Sequence, residues 1–155
     1  MAFDANLLVA DLESPANEGF RAYAYDDATG WPIKKGSIVK GNPTIGIGWN
    51  IGRLAMTREQ AQRICAEQVA EMYKNAVRAW PWIETLDEPR CRALMNMAFN
   101  LGLGGLAEFR NMLQALMEKR WLDARDEALA STWAKQEPAR ASRIADVLAT
   151  GGVNV

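Results

Sequence analysis

The sequence predicts an α+β fold: a small β-hairpin lobe joined by a long helix to a mostly α-helical lobe. Three observations carry that expectation. Residues 20–52 are rich in Gly, aromatic and β-branched residues, the composition of strands and tight turns. From Thr57 onward Ala, Leu, Met, Glu, Arg and Gln dominate, as they do in helices. Where the two textures meet, an apolar stripe of Ala61, Ile64, Cys65, Met72 and Ala76 runs at helical spacing, long enough for a strut between lobes.

Each element has a local reason. Leu7, Leu8 and Leu12 give helical spacing within residues 4–17, with Pro15 near the end. Phe20 to Tyr25 alternates, Arg21, Tyr23 and Tyr25 on one side and Ala22 and Ala24 on the other, which is strand periodicity. Residues 28–43, "ATGWPIKKGSIVKGNP", read as a long hairpin excursion leading to a second strand, "TIGIGW". In that strand Gly46 and Gly48 share a parity, so one face lacks side chains. Either a ligand or backbone approaches there, or the strand bulges.

Thr57 in "TREQ" is a capping-box N-cap for the long helix, with Gln60 as its partner. Asp87 caps a helix that starts near Pro89 and stops at Gly102. Further helices are expected at about 106–119, 121–131 and 138–149, the last ended by Gly151 and Gly152. The whole chain, 1–155, is expected to be one domain. Its sheet lobe covers about 18–56, its linking helix about 58–78, and its helical lobe about 80–150 together with the N-terminal helix.

Composition narrows the chemistry. A chain of 155 residues with 49% hydrophobic and 24% charged residues has the profile of an ordinary folded protein. It contains no histidine. That removes Ser-His-Asp triads, Cys-His nucleophile pairs and His-containing zinc sites, and two cysteines are too few for a thiolate cage. Enzymatic chemistry must then run on carboxylates, hydroxyls, lysines or water, with no metal or cofactor expected. Cys65 and Cys91 fall within helical patterns and are expected as free, partly buried thiols.

A net charge of −1 offers no basic footprint, so no nucleic acid is expected as a partner. Asp4, Asp11 and Glu13 interrupt the N-terminal apolar run, which has no basic flank, and this argues against a signal peptide. Synthesis in the cytoplasm, no stable membrane insertion and a monomer are the corresponding expectations.

The candidate chemistry lies in "EGFRAYAYDD", Glu18 to Asp27. Cleaving a glycosidic bond takes one acid to protonate the leaving oxygen and a second carboxylate to activate water or attack the sugar. Glu18 precedes the strand, and Asp26 and Asp27 follow it. Adjacent strand residues point to opposite faces, and a turn after Tyr25 leaves open which aspartate points inward.

Together these residues resemble the phage-type lysozymes of the T-even phage kind, muramidases that act as endolysins. The shared pattern is a Glu-Gly pair, a Tyr seven residues after the Glu, an Asp nine after it, and a later Thr-Ile-Gly-x-Gly. Here these are Glu18-Gly19, Tyr25, Asp27 and "TIGIG" beginning at Thr44. "ALMNMAFNLG", "EFRNML", "EKRW" and "PAR" continue the likeness in order to about Gly151.

The resemblance implies a lysozyme-like fold and hydrolysis of peptidoglycan glycan strands at the β-1,4 bond between N-acetylmuramic acid and N-acetylglucosamine. It makes Glu18 the general acid, Asp27 the base or electrostatic partner, and Thr44 a holder of the attacking water. A water between the carboxylates implies inversion at the anomeric carbon. Arg140 and Asn96 match residues that support the catalytic Glu, and Phe99 and Asn100 match substrate-facing positions, with Asn100 standing where Gln is frequent.

The family spacing thus selects Asp27 and leaves Asp26 as a solvated turn residue, whose change to Asn is expected to keep most activity. Trp31 and Trp49 flank the expected cleft, whereas Trp82, Trp121 and Trp133 read as packing residues. Two departures stand out: Trp49 replaces a common His, and 28–43 carries an insertion whose Lys34, Lys35 and Lys40 would meet an anionic wall. Without an export signal, such an endolysin would reach the wall only after the membrane is permeabilised. The rival readings are a lytic transglycosylase, against which Asp27 and Thr44 argue, and a non-catalytic wall-binding module.

Overall fold

The computed structural model describes residues 5–152; Asp4, where the first helix is expected to begin, lies outside them. The chain divides into two compact units at the Thr57–Arg58 bond.

The first unit opens with helix α1 (Ala5–Glu13). A turn follows in which the Leu12 carbonyl accepts the N–H groups of both Glu18 and Gly19 at 3.1 Å. The strands are β1 (Arg21–Asp26), β2 (Pro43–Gly46) and β3 (Trp49–Asn50), forming an antiparallel sheet in the order β1-β2-β3. Tyr25 stands opposite Thr44 and Asp26 opposite Pro43, while Arg21 stands opposite Gly46 after a register shift. The predicted strand "TIGIGW" is therefore broken. Ile45 pairs with Trp49 across a tight turn, with Gly46 at φ 67° and Gly48 at φ 67°. Of the two readings open for this glycine pair, the bend is the one observed.

The insertion is not an extended hairpin. Its first part returns directly along β1: Trp31 accepts from Asp26 N–H at 3.0 Å, and Ile33 donates to the Ala24 carbonyl at 2.8 Å, flanking a Tyr25–Pro32 bridge. Because backbone groups alternate sides along a strand, this covers the edge of β1 opposite β2. Arg21 fixes the same turn by donating to the Gly30 carbonyl at 2.9 Å and stacking its guanidinium 4.1 Å from the centre of the Tyr25 ring.

The second unit is helical: α2 (Arg58–Ala79), a 3₁₀ turn (Pro81–Thr85), α3 (Glu88–Ala107), α4 (Arg110–Met117), α5 (Trp121–Leu129), α6 (Thr132–Gln136) and α7 (Pro138–Thr150). Its core is built at helical spacing: Ala93, Leu94, Met97 and Ala98 of α3 meet Ala141, Ile144, Ala145 and Leu148 of α7 in one buried cluster. Each large apolar side chain so buried contributes about 1.5–3 kcal/mol. Along α2 the predicted stripe packs only in part, with Ala76 buried, Met72 half-buried, and Ala61 and Cys65 exposed. Both thiols are free, and burial raises the pKa of half-buried Cys91.

Asp87 caps α3 as expected, accepting the Arg90 N–H at 3.0 Å. The expected stop at Gly102 is a break in dihedral angles (φ 72°, ψ 161°) after which the helix resumes to Ala107, so α4 starts later than the pattern suggested. The short α6 was not anticipated; Ser131 caps it by accepting the Ala134 N–H, a signal present in "STW" but hidden by the adjoining helix. Trp133 is buried, and Trp82 and Trp121 pack against the core. Among the described residues no helix is long and apolar enough to cross a membrane.

Candidate active site

Glu18 follows the turn after α1, fixed through its backbone N–H to Leu12. Its exposed side chain lies over Gly48, where an added methyl would stand 2.7 Å from the Glu18 carboxyl carbon. The glycine turn between β2 and β3 therefore forms a seat for this carboxylate, and a side chain at Gly48 would displace it.

Asp27 begins the loop after β1 and is tied to Asn42 three times. Its N–H donates to the Asn42 carbonyl at 3.0 Å. Its carboxylate accepts the Asn42 N–H at 2.6 Å and the Asn42 side-chain amide at 2.9 Å. Hydrogen bonds from Asn42, backbone first and side chain second, hold the exposed Asp27 carboxyl below its ordinary pKa, against burial and the neighbouring Asp26 charge, which raise it. Such a group stays ionised and oriented in water.

Thr44 is 4% exposed, and its hydroxyl donates to the same Asn42 carbonyl at 3.3 Å. With its hydrogen so directed, the oxygen has lone pairs left to accept from water. Asn42 thus joins Asp27 and Thr44, two residues singled out in the sequence; Asn42 itself was not. Its only signal was the "NP" turn dipeptide before β2.

Asp26 overturns an expectation. Far from a solvated turn residue, it is 4% exposed. One carboxylate oxygen accepts the Lys40 N–H at 2.8 Å; the other accepts the Gly41 N–H at 2.9 Å and the Ala28 N–H at 3.1 Å. The Lys40 bond is the largest cause of its lowered pKa, burial opposes it, and Gly41, Ala28 and the Thr29 hydroxyl lower it further. The physical reason is direct: several convergent amide donors satisfy a buried carboxylate.

In the second unit Asn96, Phe99 and Asn100 share the solvent face of α3, opposite the buried Leu94 and Ala98. Phe99 is 55% exposed, a large apolar surface left to water. Asn100 is already engaged, its side-chain oxygen accepting the Trp133 indole N–H at 2.8 Å. Trp133 also helps line a groove of about 610 Å³ with Phe109, Asn111 and Gln136. Arg140 is half-buried in the first turn of α7, where the helix dipole disfavours a cation, so its placement there needs a reason other than helix stability. In the first unit, Trp31 is exposed and Trp49, half-exposed, packs its ring against Gly46.

A three-stranded antiparallel sheet whose first strand is flanked by the exposed carboxylates Glu18 and Asp27, followed by a helical unit, defines an α+β protein of the lysozyme-like class. The chain belongs to the phage lysozyme family, whose model matches residues 15–145.

It is similar to the pre-baseplate central spike protein Gp5 of Enterobacteria phage T4, 29% identical over 154 residues, covering 88% of this chain and 27% of Gp5. It is also similar to the probable T4-type lysozyme 1 of Dictyostelium discoideum, 37% identical over 71 residues, covering 46% of this chain and 42% of that protein. A third relative is the peptidoglycan hydrolase gp36 of Pseudomonas phage phiKMV, 29% identical over 124 residues, covering 80% of this chain and 13% of gp36. The chain thus spans less than half the length of each of these relatives.

Proposed function

We propose that the chain is a glycoside hydrolase acting on peptidoglycan, cutting the β-1,4 bond between N-acetylmuramic acid and N-acetylglucosamine. The observation that carries this reading is the ionised, exposed Asp27 carboxylate fixed by Asn42 beside the Thr44 hydroxyl, in a chain of the phage lysozyme family. Glu18 protonates the glycosidic oxygen. Asp27 and Thr44 hold the water that attacks the opposite face of the sugar, so the anomeric carbon inverts. The family likeness gives Arg140 and Asn96 supporting roles, and Phe99 and Asn100 meet the glycan. A name among the relatives, peptidoglycan hydrolase, supports the substrate class.

The protein acts as a monomer and reaches the wall through a membrane permeabilised by other means. Turbidity clearing of outer-membrane-stripped cells tests the site. Glu18→Gln should lose about 10²-fold or more of the parent rate, the scale of general acid catalysis. An unchanged rate would overturn the assignment. Mass spectrometry of the products separates hydrolysis from transglycosylation: reducing muramic ends are expected, and anhydro-muramic ends would overturn the hydrolase reading.

A further inference from the structure

We propose that Asp26 is a positioning residue for Asp27. Its buried carboxylate ties the end of the 28–43 insertion to its beginning and so holds Asn42 where it clamps Asp27. This rests on the hydrolase reading above for its catalytic meaning, though not for its geometry.

Two adjacent acids divide one stretch of backbone between them. Asp26 takes the N–H groups of Lys40 and Gly41, and Asp27 takes that of the next residue, Asn42. The Asp26 oxygen that receives Gly41 also receives Ala28, so a single atom joins the two ends of the insertion. The fit at this junction is tight. A methyl on Gly41 would lie 2.7 Å from the Ala28 methyl and would run into the Asp27 carboxylate. Because Gly41 and Asn42 share a peptide bond, release of Gly41 moves the Asn42 N–H that Asp27 depends on. Asn42 also carries the Thr44 contact, so the same movement would disturb the hydroxyl that holds water.

The insertion therefore has its closing point at the reaction centre. Its exposed side chains, Trp31 and Ile38 among them, face the surroundings while the junction is held by buried Asp26. A long loop without such a tie would let its ends fluctuate, and Asp27 lies at one end.

The sign of one measurable quantity separates this role from a mere charge neighbour. The negative charge of Asp26 raises the Asp27 pKa, so deleting that charge alone should lower it. Loss of the Asn42 donors should raise it. Asp26→Asn can keep the Gly41 and Ala28 bonds through its amide oxygen, whereas Asp26→Ala removes every acceptor at once. Carbon-13 NMR titration of the Asp27 carboxyl in the parent and in Asp26→Ala reads this directly, in full-length protein and without any substrate. The expected result is a rise of the Asp27 pKa in Asp26→Ala; a fall or no change would overturn the proposal.

Activity supplies a second readout. kcat in Asp26→Ala should fall on the order of tenfold to a hundredfold, the scale of a misplaced catalytic group, with KM little changed and the acid limb of the pH–rate profile moved upward. A loss confined to KM would overturn it.

Should Asp26→Ala not fold, hydrogen exchange in the folded parent decides. In sub-denaturing urea the amides of Lys40, Gly41 and Asn42 should open in one step, whereas Asn42 remaining protected while the other two exchange would overturn the proposal. If Asp27→Asn keeps parental activity but these NMR results hold, the clamp stands and the hydrolase assignment of Asp27 fails.

Discussion

Asp26 and Asp27, neighbours in sequence, accept hydrogen bonds from consecutive parts of one distant segment: Lys40 and Gly41 for the first, Asn42 for the second. One is buried and the other exposed. That division separates a carboxylate that holds the loop from one available to a substrate, and it makes the junction sensitive to small changes.

Gly41→Ala is the smallest of these. Its methyl meets the Asp27 carboxylate and Ala28, so the junction must open. Overpacking of this kind costs about 1–3 kcal/mol. The lytic rate should fall by more than the loss in folded fraction explains, as turbidity clearing compared with urea unfolding of the same sample would show.

Gly48→Ala tests the seat of Glu18. The added methyl enters the space of that carboxylate, and the φ of 67° adds strain of about 1–2 kcal/mol for a residue with a Cβ. A moderate loss of stability with a strong loss of kcat is expected. Parental kcat with lowered stability would mean that the position of Glu18 does not matter for the reaction.

Acid should loosen the loop junction. Asp26 and Asp27 both titrate below their ordinary value of 3.8 in the folded protein. Their hydrogen bonds therefore contribute stability fully present above that value and lost as pH falls through the lower folded-state values. Amide exchange at Lys40, Gly41 and Asn42, corrected for intrinsic pH dependence, should accelerate below about pH 3.8, while amides in the core of α7 respond less.

Asn100 has two separable roles. Asn100→Ala leaves the indole N–H of Trp133 without its partner in a side chain only 4% exposed. A stability loss of about 1–3 kcal/mol follows from an unsatisfied buried donor, readable as a lowered urea midpoint. A rise in KM beyond that loss would report the glycan contact.

Arg90 ties the start of α3 to the end of α7. It pairs with Asp87 at 2.5 Å, donates to the Leu148 and Ala149 carbonyls at 2.8 and 2.9 Å, and covers the Trp121 ring at 4.2 Å. Arg90→Ala removes these bonds at the end of α7 and leaves the half-exposed Asp87 to water, and should cost about 1–3 kcal/mol by equilibrium unfolding. Arg90→Lys should recover only part, because an ammonium lacks the planar fork that serves two carbonyls and a carboxylate together.

The sequence by itself determined the two textures of the chain, its longer elements and the identity of the candidate acids. The strand after Gly19, the Asp87 cap and the last helix are written in neighbouring residues, because each depends on a local repeat, a cap or a stop within a turn, although burial along β1 rises toward Asp26 and does not alternate. The spacing of Glu18, Asp27 and Thr44 was likewise legible, through its resemblance to a family.

Tertiary structure decided what each acid touches. Nothing local distinguishes Asp26 from Asp27. The burial of one and the exposure of the other come from residues 40–42, which a sixteen-residue interval between Asp26 and Asn42 brings back to the same place. The demand for glycine at Gly41 and Gly48 has the same origin: a carboxylate from another segment fills the space where a Cβ would be. Periodicity records which face of an element is buried; only the folded chain records which distant donor a charged group has found.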